Sequence, residues 1–130
     1  MCLANKFLTR FEELSNEMES EFQRLKKLEV VYNKKLNEHY HDMETAKFNA
    51  VEGYYKAKEL QDIVRQRRVI KNELYKLTRV REKMRLNTII QRSNTARQSL
   101  SHIHKHEENN DWSREWKDNY RVEDLDIQLH

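Results

Sequence analysis

Proline is absent from this 130-residue chain, and glycine occurs once. Because these two residues punctuate turns and strand ends, their scarcity argues against a β-rich fold. No apolar run is long enough for a transmembrane helix, so we expect no membrane partner. Hydrophobic residues make up 37% of the chain and charged residues 36%, which favours elongated helices with one buried stripe over a compact core. The composition predicts an all-α protein.

The chain also lacks the residues that most chemical sites need. Its single cysteine, Cys2, cannot form an internal disulfide. It has no glycine-rich phosphate loop, no nucleophile elbow and no closely set acid pair outside ordinary helix surface. We therefore predict no catalytic residue, no cofactor and no metal site, and a protein that is not an enzyme. The first residues are too mixed for a signal peptide, which predicts a cytoplasmic protein.

Charge is distributed unevenly along the chain, although the net charge is only +3. Residues 1–55 hold 8 basic and 10 acidic side chains, residues 56–97 hold 13 and 4, and residues 98–130 hold 4 and 8. An acidic-leaning arm is thus followed by a basic arm and an acidic tail. Segregated charge of this kind favours a binding function.

Two long amphipathic patterns dominate the sequence. Apolar residues recur every three or four positions in residues 3–40, which predicts a helix with one apolar stripe. In residues 60–84 the spacings of three and four add up to a seven-residue repeat, which is the pattern of a helix packed along another helix. The first stripe consists of Leu3, Phe7, Phe11, Leu14, Met18, Phe22, Leu25, Leu28, Tyr32, Leu36 and Tyr40, and the second of Leu60, Ile63, Ile70, Leu74, Leu77 and Met84.

Together the two patterns predict a long antiparallel helical hairpin of the coiled-coil type. Residues 37–47 contain weak helix formers, so we place the turn within residues 41–48, with Asp42 or Thr45 as the cap of the second helix. A second candidate break lies at residues 49–53, where Asn49 and Glu52 have capping-box spacing. With Asn in place of Ser or Thr, that signal is weak.

The register of the hairpin follows from matching the stripes, because facing residue numbers in an antiparallel pair have a constant sum. A sum near 88 places Leu74 beside Leu14, Leu77 beside Phe11 and the other apolar residues beside apolar partners. A register with a sum of 95 is an acceptable alternative. A sum of 98 sets Leu74 and Leu77 against charged residues, so we predict the register near 88.

Two arginines occupy apolar positions of the second stripe. Such residues need a carboxylate or an exit to water, and the register near 88 brings Arg67 beside Glu21. We predict that Arg67, Arg81 and Glu21 set the register, with ligand contacts as the alternative.

Beyond Met84 the apolar pattern continues in a shifted phase, so the second helix continues, bends or restarts there. The shifted stripe offers a surface for a third helix or for a second copy of the chain, which makes a homodimer an open alternative. We divide the chain into a helical hairpin or bundle, residues 1–106, and an acidic aromatic tail, residues 107–130. The shifted stripe comprises Leu86, Ile89, Ile90, Ala96, Leu100 and Ile103.

Three groups of residues are candidate sites. The basic face of the second helix would follow a phosphate backbone or simply be a solvated helix surface. In the tail, Trp112, Trp116 and Tyr120 are four residues apart, and aromatic residues of this kind dominate interface hot spots; they bind a partner or fold back on the hairpin. The alternating histidines at 102, 104 and 106 fit a solvated linker better than a metal site. The basic face comprises Arg65, Arg68, Lys76, Arg79 and Lys83, extended by Arg85, Arg92 and Arg97.

Residues 50–77 resemble small helical proteins encoded by phages and prophages of Gram-positive bacteria. The resemblance implies that the chain acts in a bacterial host cell, where small phage accessory proteins bind and inhibit a host enzyme or a defence complex, or act on nucleic acid. It carries over no site residue. The shared features are a tyrosine-bearing helix start, the arginine pair Arg67 and Arg68, then Lys71, Glu73 and an apolar repeat.

These observations lead to one principal functional hypothesis and two rivals. The principal hypothesis is a non-catalytic, phage-encoded helical protein that binds and inhibits a bacterial protein complex. The first rival is an accessory protein that binds nucleic acid without sequence preference. The second is a structural or assembly coiled coil.

Overall fold

The computed structural model describes residues 2–109 and 124–125. Within these residues it contains three helices and no strand. Helix α1 is Leu3–Thr45, α2 is Ala50–Met84 and α3 is Leu86–Glu108. The all-α prediction is confirmed. None of the helices in this part of the chain is both long and apolar enough to span a membrane.

Helix α1 has 43 residues and a length of about 65 Å at 1.5 Å per residue. Its first turn is capped by the Cys2 thiol, which accepts a hydrogen bond from the Asn5 N–H at 3.4 Å. At its other end the Thr45 hydroxyl donates to the His41 carbonyl at 2.9 Å, and the Ala46 N–H donates to the Asp42 carbonyl at 2.8 Å. The prediction that Asp42 or Thr45 caps the second helix is therefore wrong, because both lie in the last turn of α1.

Helix α2 begins one residue after Asn49, and the four-residue connector, residues 46–49, overlaps the predicted turn region. The Asn49 side chain accepts from the Glu52 N–H at 2.9 Å and donates to the Glu52 carboxylate at 3.4 Å. The first bond is the N-cap half of a capping box, but the return bond comes from the Asn49 side-chain amide, whereas in a capping box it comes from the backbone N–H. The weaker of the two sequence signals thus marks the true start of α2.

The register of α2 against α1 differs from the prediction. Paired residue numbers sum to 98 near the connector, at Lys56–Asp42 and His39–Glu59, and to 100 farther along, at Arg67–Asn33 and Arg81–Glu19.

The predicted register near 88 is wrong because the prediction matched only residues at the same level of the two helices. It did not consider residues one position away. At a sum of 99, Leu74 is level with Leu25 and Leu77 with Phe22, one position away from the charged residues that argued against 98. All four of these side chains are buried or half-buried. Leu14, the predicted partner of Leu74, is exposed.

The second helix of the hairpin ends and restarts at Arg85. This residue has φ 50° and ψ 58°, the left-handed region that residues other than glycine seldom occupy. Its N–H caps α2 by donating to the Glu82 carbonyl at 3.2 Å, and its carbonyl accepts from the Thr88 N–H at 2.9 Å in the first turn of α3. A single residue, Arg85, therefore separates α2 from α3.

Helix α3 packs against the N-terminal part of α1, whereas α2 packs against the C-terminal part. Both run antiparallel to α1, since Arg97 contacts Glu12 and His104 lies beside Cys2. The core is small: among the described residues the buried apolar side chains are Phe22, Ile70 and Leu86, with 6%, 9% and 5% of their surface exposed.

Candidate interaction surfaces

Arg81 joins α2 to the middle of α1, as its position on the apolar stripe suggested. Its guanidinium forms an ion pair with Glu19 and lies 3.6 Å from the centroid of the buried Phe22 ring. Hydrogen bonds from the Gln23 amide and from Arg81 hold the pKa of the Glu19 carboxyl below its ordinary value. The charge of the half-buried Arg81 is thus compensated by a carboxylate and an aromatic face, while its buried Nε has no hydrogen-bond partner within the described residues.

Arg67 also reaches across to α1, but its partner is an amide. Its Nε donates to Asn33 Oδ1 at 2.6 Å. Glu21, the predicted partner of Arg67, instead pairs with Arg24 one turn along α1 at 3.0 Å, and both side chains are more than half exposed. The arginines therefore contact α1 at other positions than predicted, and Glu21 makes no contact with Arg67.

Arg97 forms the main polar contact between α1 and α3. Its guanidinium pairs with Glu12, donates to Thr9 Oγ1 at 3.1 Å and also donates to Asn5 Oδ1. The prediction that Arg97 extends the outward basic face is therefore wrong. Asn5, Thr9 and Glu12 lie at spacings of four and three on α1, so a polar stripe was the signal that would have found this site.

His39 is a buried residue that the sequence did not single out. It is 6% exposed, its Nδ1 is 4.0 Å from a carboxylate oxygen of Glu59, and its Nε2 has no hydrogen-bond partner within the described chain. It sits near the connector end of the hairpin, where Lys56 pairs with Asp42. That end is therefore closed by polar contacts as well as by the connector.

The predicted basic face is exposed on α2. Its five residues all point away from α1, about half a turn from the inward positions Ile63, Arg67 and Ile70 at 3.6 residues per turn. Lys76 pairs with Glu73 at 3.7 Å and Arg79 with Glu82 at 3.5 Å, both within α2. Arg65, Arg68 and Lys83 form no ion pair with another described residue, so their charge is available on the surface.

Exposed tyrosines accompany these cations. Tyr54 and Tyr75 lie on or beside the same face of α2 and are each 61% exposed, and Tyr55 is in edge contact with Tyr54 at 5.5 Å between ring centroids. The Tyr75 hydroxyl accepts a hydrogen bond from Arg79 Nε at 3.3 Å, which raises the pKa of the Arg79 guanidinium. We call Tyr54, Lys58, Arg65, Arg68, Tyr75, Lys76, Arg79 and Lys83 the α2 outer face.

A second exposed surface lies on the first third of α1. Leu3, Phe7, Phe11 and Leu14, which we call the N-terminal stripe, are 39%, 52%, 61% and 58% exposed. The predicted hairpin buries these residues against α2, and the structure contradicts that placement. The side chains that face α3 are instead Asn5, Leu8, Thr9, Glu12 and Ser15.

The predicted tail contacts Trp112, Trp116 and Tyr120 lie outside the described residues. The three histidines are in α3, which continues to Glu108, so the predicted linker at residues 102–110 is helical over most of its length. His104 Nε2 is 3.6 Å from Cys2 Sγ, whereas His102 and His106 are exposed. In the part of the chain that the structure describes, no group of three or more His, Cys, Asp or Glu residues is arranged to hold a metal ion.

Comparison of the chain with protein-family models, with curated proteins and with solved structures gave no match. The fold defines an all-α protein of three helices, in which α1 is covered by α2 and α3 in turn. Two exposed surfaces group side chains of one kind: cations on the α2 outer face and apolar residues on the N-terminal stripe.

Proposed function

We propose that this is a non-catalytic helical binding protein, and that the α2 outer face is its principal contact surface. The observation that carries the proposal is the combination of unpaired arginines and exposed tyrosines on one side of one helix. Arginine and tyrosine are enriched among the residues that supply most of the energy of protein interfaces. A rigid helix also presents them at little entropic cost.

The partner that fits this face is an acidic surface of a bacterial protein complex. The cations would attract and orient that surface, and the tyrosine rings would supply desolvated contact area. The resemblance of residues 50–77 to phage and prophage proteins supports a role as an inhibitor that occupies such a surface in the cytoplasm of a bacterial host. Trp112, Trp116 and Tyr120 remain a second predicted contact on the same partner.

The small buried core of the described residues supports a non-catalytic role. The described residues bury three apolar side chains and no large side chain completely, so the two helical layers enclose little volume that would exclude water from a reaction. Binding along an exposed helix requires no such enclosure.

Affinity capture from nuclease-treated bacterial lysate tests the proposal. We expect the wild-type chain to retain one stoichiometric protein, and Tyr54→Ala/Arg65→Ala/Arg68→Ala to lose most of it. Lys27→Ala/Lys34→Ala is the matched control, since it removes two exposed cations from α1. Trp112→Ala/Trp116→Ala measures the contribution of the tail. Retention of no stoichiometric protein, or equal retention by all variants, would refute the proposal.

Nucleic-acid binding is the second candidate, because the cations of the α2 outer face lie along one side of the helix as a ridge. From Lys58 to Lys83 the ridge spans 25 residue steps, about 38 Å at 1.5 Å per residue. Such a ridge would contact phosphates without reading bases. It predicts that DNA and RNA affinity falls steeply with the logarithm of salt concentration and weakens when Arg65, Arg68, Arg79 and Lys83 are neutralised. Binding that is absent or independent of salt excludes this candidate.

A further inference from the structure

The N-terminal stripe is an apolar surface without a partner in the described chain. Each of its four side chains has two-fifths to three-fifths of its surface exposed. Together they extend over about 17 Å of helix. Soluble monomers seldom leave a contiguous apolar patch of several hundred Å² open to water. Two phenylalanines in such a patch indicate a surface that becomes covered.

The stripe faces away from α3. Its side chains lie about half a turn from the inward positions Asn5, Thr9 and Glu12, at 100° per residue. The stripe can therefore be covered while Arg97 keeps all of its contacts with α1. No rearrangement of the three helices is needed.

The residue types in the stripe are the same in both directions: Leu, Phe, Phe, Leu. Their spacings are four, four and three, so the two directions differ by one position. A twofold interface places the same patch on both subunits, so that residue i contacts residue j and j contacts i. An antiparallel pair of stripes with sums of 17 and 18 sets Leu3 against Leu14 and Phe7 against Phe11 of the other copy. Apolar residues of equal type then meet at every layer.

One pair of charges beside the stripe favours the same orientation. Lys6 and Glu13 are exposed and form no ion pair with another described residue. In the antiparallel register their numbers sum to 19, so Lys6 of one copy lies within two positions of Glu13 of the other. In parallel pairing the two residues are seven positions, about 10 Å, apart.

We propose that the N-terminal stripe docks on the same stripe of a second copy of this chain, forming an antiparallel twofold dimer. The interface is separate from the α2 outer face, so either proposal can fail without the other. A patch of this size buries less than the roughly 1,200 Å² of a standard interface, so the dimer forms and dissociates with concentration.

Sedimentation equilibrium of the full chain between about 10 and 500 µM tests the dimer. The mass is expected to rise from 16.0 kDa towards twice that value. Phe7→Ala/Phe11→Ala should raise the dissociation constant about tenfold or more, while circular dichroism shows that helix content is kept. The matched control, Val51→Ala/Tyr55→Ala, removes two equally exposed side chains from α2 and should leave the dissociation constant unchanged.

Charge reversal tests the orientation. Glu13→Lys should weaken the dimer because it places a cation beside Lys6 of the other copy, and Lys6→Glu/Glu13→Lys should restore it. In a parallel dimer these two residues do not meet across the interface, so the second substitution restores nothing. A chain that stays monomeric throughout the concentration range overturns the proposal, whether its own tail or an unrelated protein covers the stripe. A dimer that is indifferent to Phe7 and Phe11, or to the charge reversals, overturns it as well.

Discussion

The two halves of α1 are covered in different ways. The C-terminal half buries its apolar stripe against α2, with Phe22 beneath the Arg81 guanidinium. The N-terminal half turns a polar stripe towards α3, held by Arg97, and leaves Phe7 and Phe11 in solvent. The same helix with the same apolar spacing therefore has a core at one end and an open surface at the other.

The difference arises because the apolar stripe of α1 and the side of α1 that contacts the other helices follow different periods. Apolar residues 3–14 recur at nearly the 3.6-residue period of a straight helix, so they stay on one side of α1. The helices that cover α1 wrap around it, since inward positions drift from Asn5 and Thr9 to Phe22 and then to Leu36 and His39. Over the length of α1 the drift carries the packing surface off the apolar stripe.

The largest expected effect comes from replacing one phenylalanine by alanine in each half of α1 and comparing the two variants. Phe22→Ala removes a buried ring and should lower the free energy of unfolding by about 3–4 kcal/mol. Phe11→Ala removes an exposed ring and should change it by less than about 0.5 kcal/mol. Urea unfolding at low protein concentration measures both values. Equal losses would show that the two halves are packed alike.

Arg97→Ala tests the polar half. It removes the ion pair with Glu12 and the hydrogen bonds to Thr9 and Asn5 from a partly exposed site, and should cost about 2 kcal/mol. The loss should appear as faster amide hydrogen exchange in α3 with little change in α2. Arg92→Ala, an exposed arginine of the same helix, is the control. Uniform acceleration in both helices would contradict a separate α1–α3 contact.

Asn49→Ala tests the start of α2. The substitution removes the acceptor for the Glu52 N–H and should destabilise the protein by about 1 kcal/mol. Asn72→Ala changes an exposed residue in the middle of the same helix and should be neutral or slightly stabilising, because alanine is the better helix former. Thermal unfolding of both variants checks the difference. A neutral Asn49→Ala would mean that the cap contributes nothing.

Acid titration tests the contact of Glu19 with Gln23 and Arg81, which together lower its pKa. Because the folded state lowers the pKa of Glu19 below its ordinary 4.5, the stabilisation is complete above that value and is lost as the pH falls through the lowered pKa. With a side chain 37% exposed, the effect is at most about 1 kcal/mol after screening. Glu19→Gln should therefore flatten the fall in stability below pH 4.5 relative to wild type. Glu44→Gln should leave the wild-type profile in place, and an unchanged profile in Glu19→Gln would refute the contact.

Local patterns identified much of the molecule. The spacing of apolar residues predicted helices at both arms, and the phase shift after Met84 marked the place where Arg85 ends α2. The five basic residues on the outer side of α2 were predicted to face outward because that depends only on helical periodicity. Arg97, predicted to extend the same face, instead contacts α1. Arg67 and Arg81 were also placed correctly on the inward side of α2.

Pairing between helices was predicted less well. Two apolar stripes match at several registers, and the choice depends on polar partners such as Asn33 and Glu19, which lie beside the stripe and do not stand out in the sequence. The contacts of Arg97 were missed for the same reason. Asn5, Thr9 and Glu12 are ordinary helix-surface residues until α3 is placed over them.

The sequence by itself determined the all-α class, the amphipathic faces and the segregation of charge, because each depends on composition or on a repeat within one helix. Only the tertiary structure decided the register of α2, the return of α3 over the start of α1 and the exposure of Phe7 and Phe11. Those features depend on side chains far apart in the chain and on a single residue, Arg85, in a backbone conformation that no local pattern specifies.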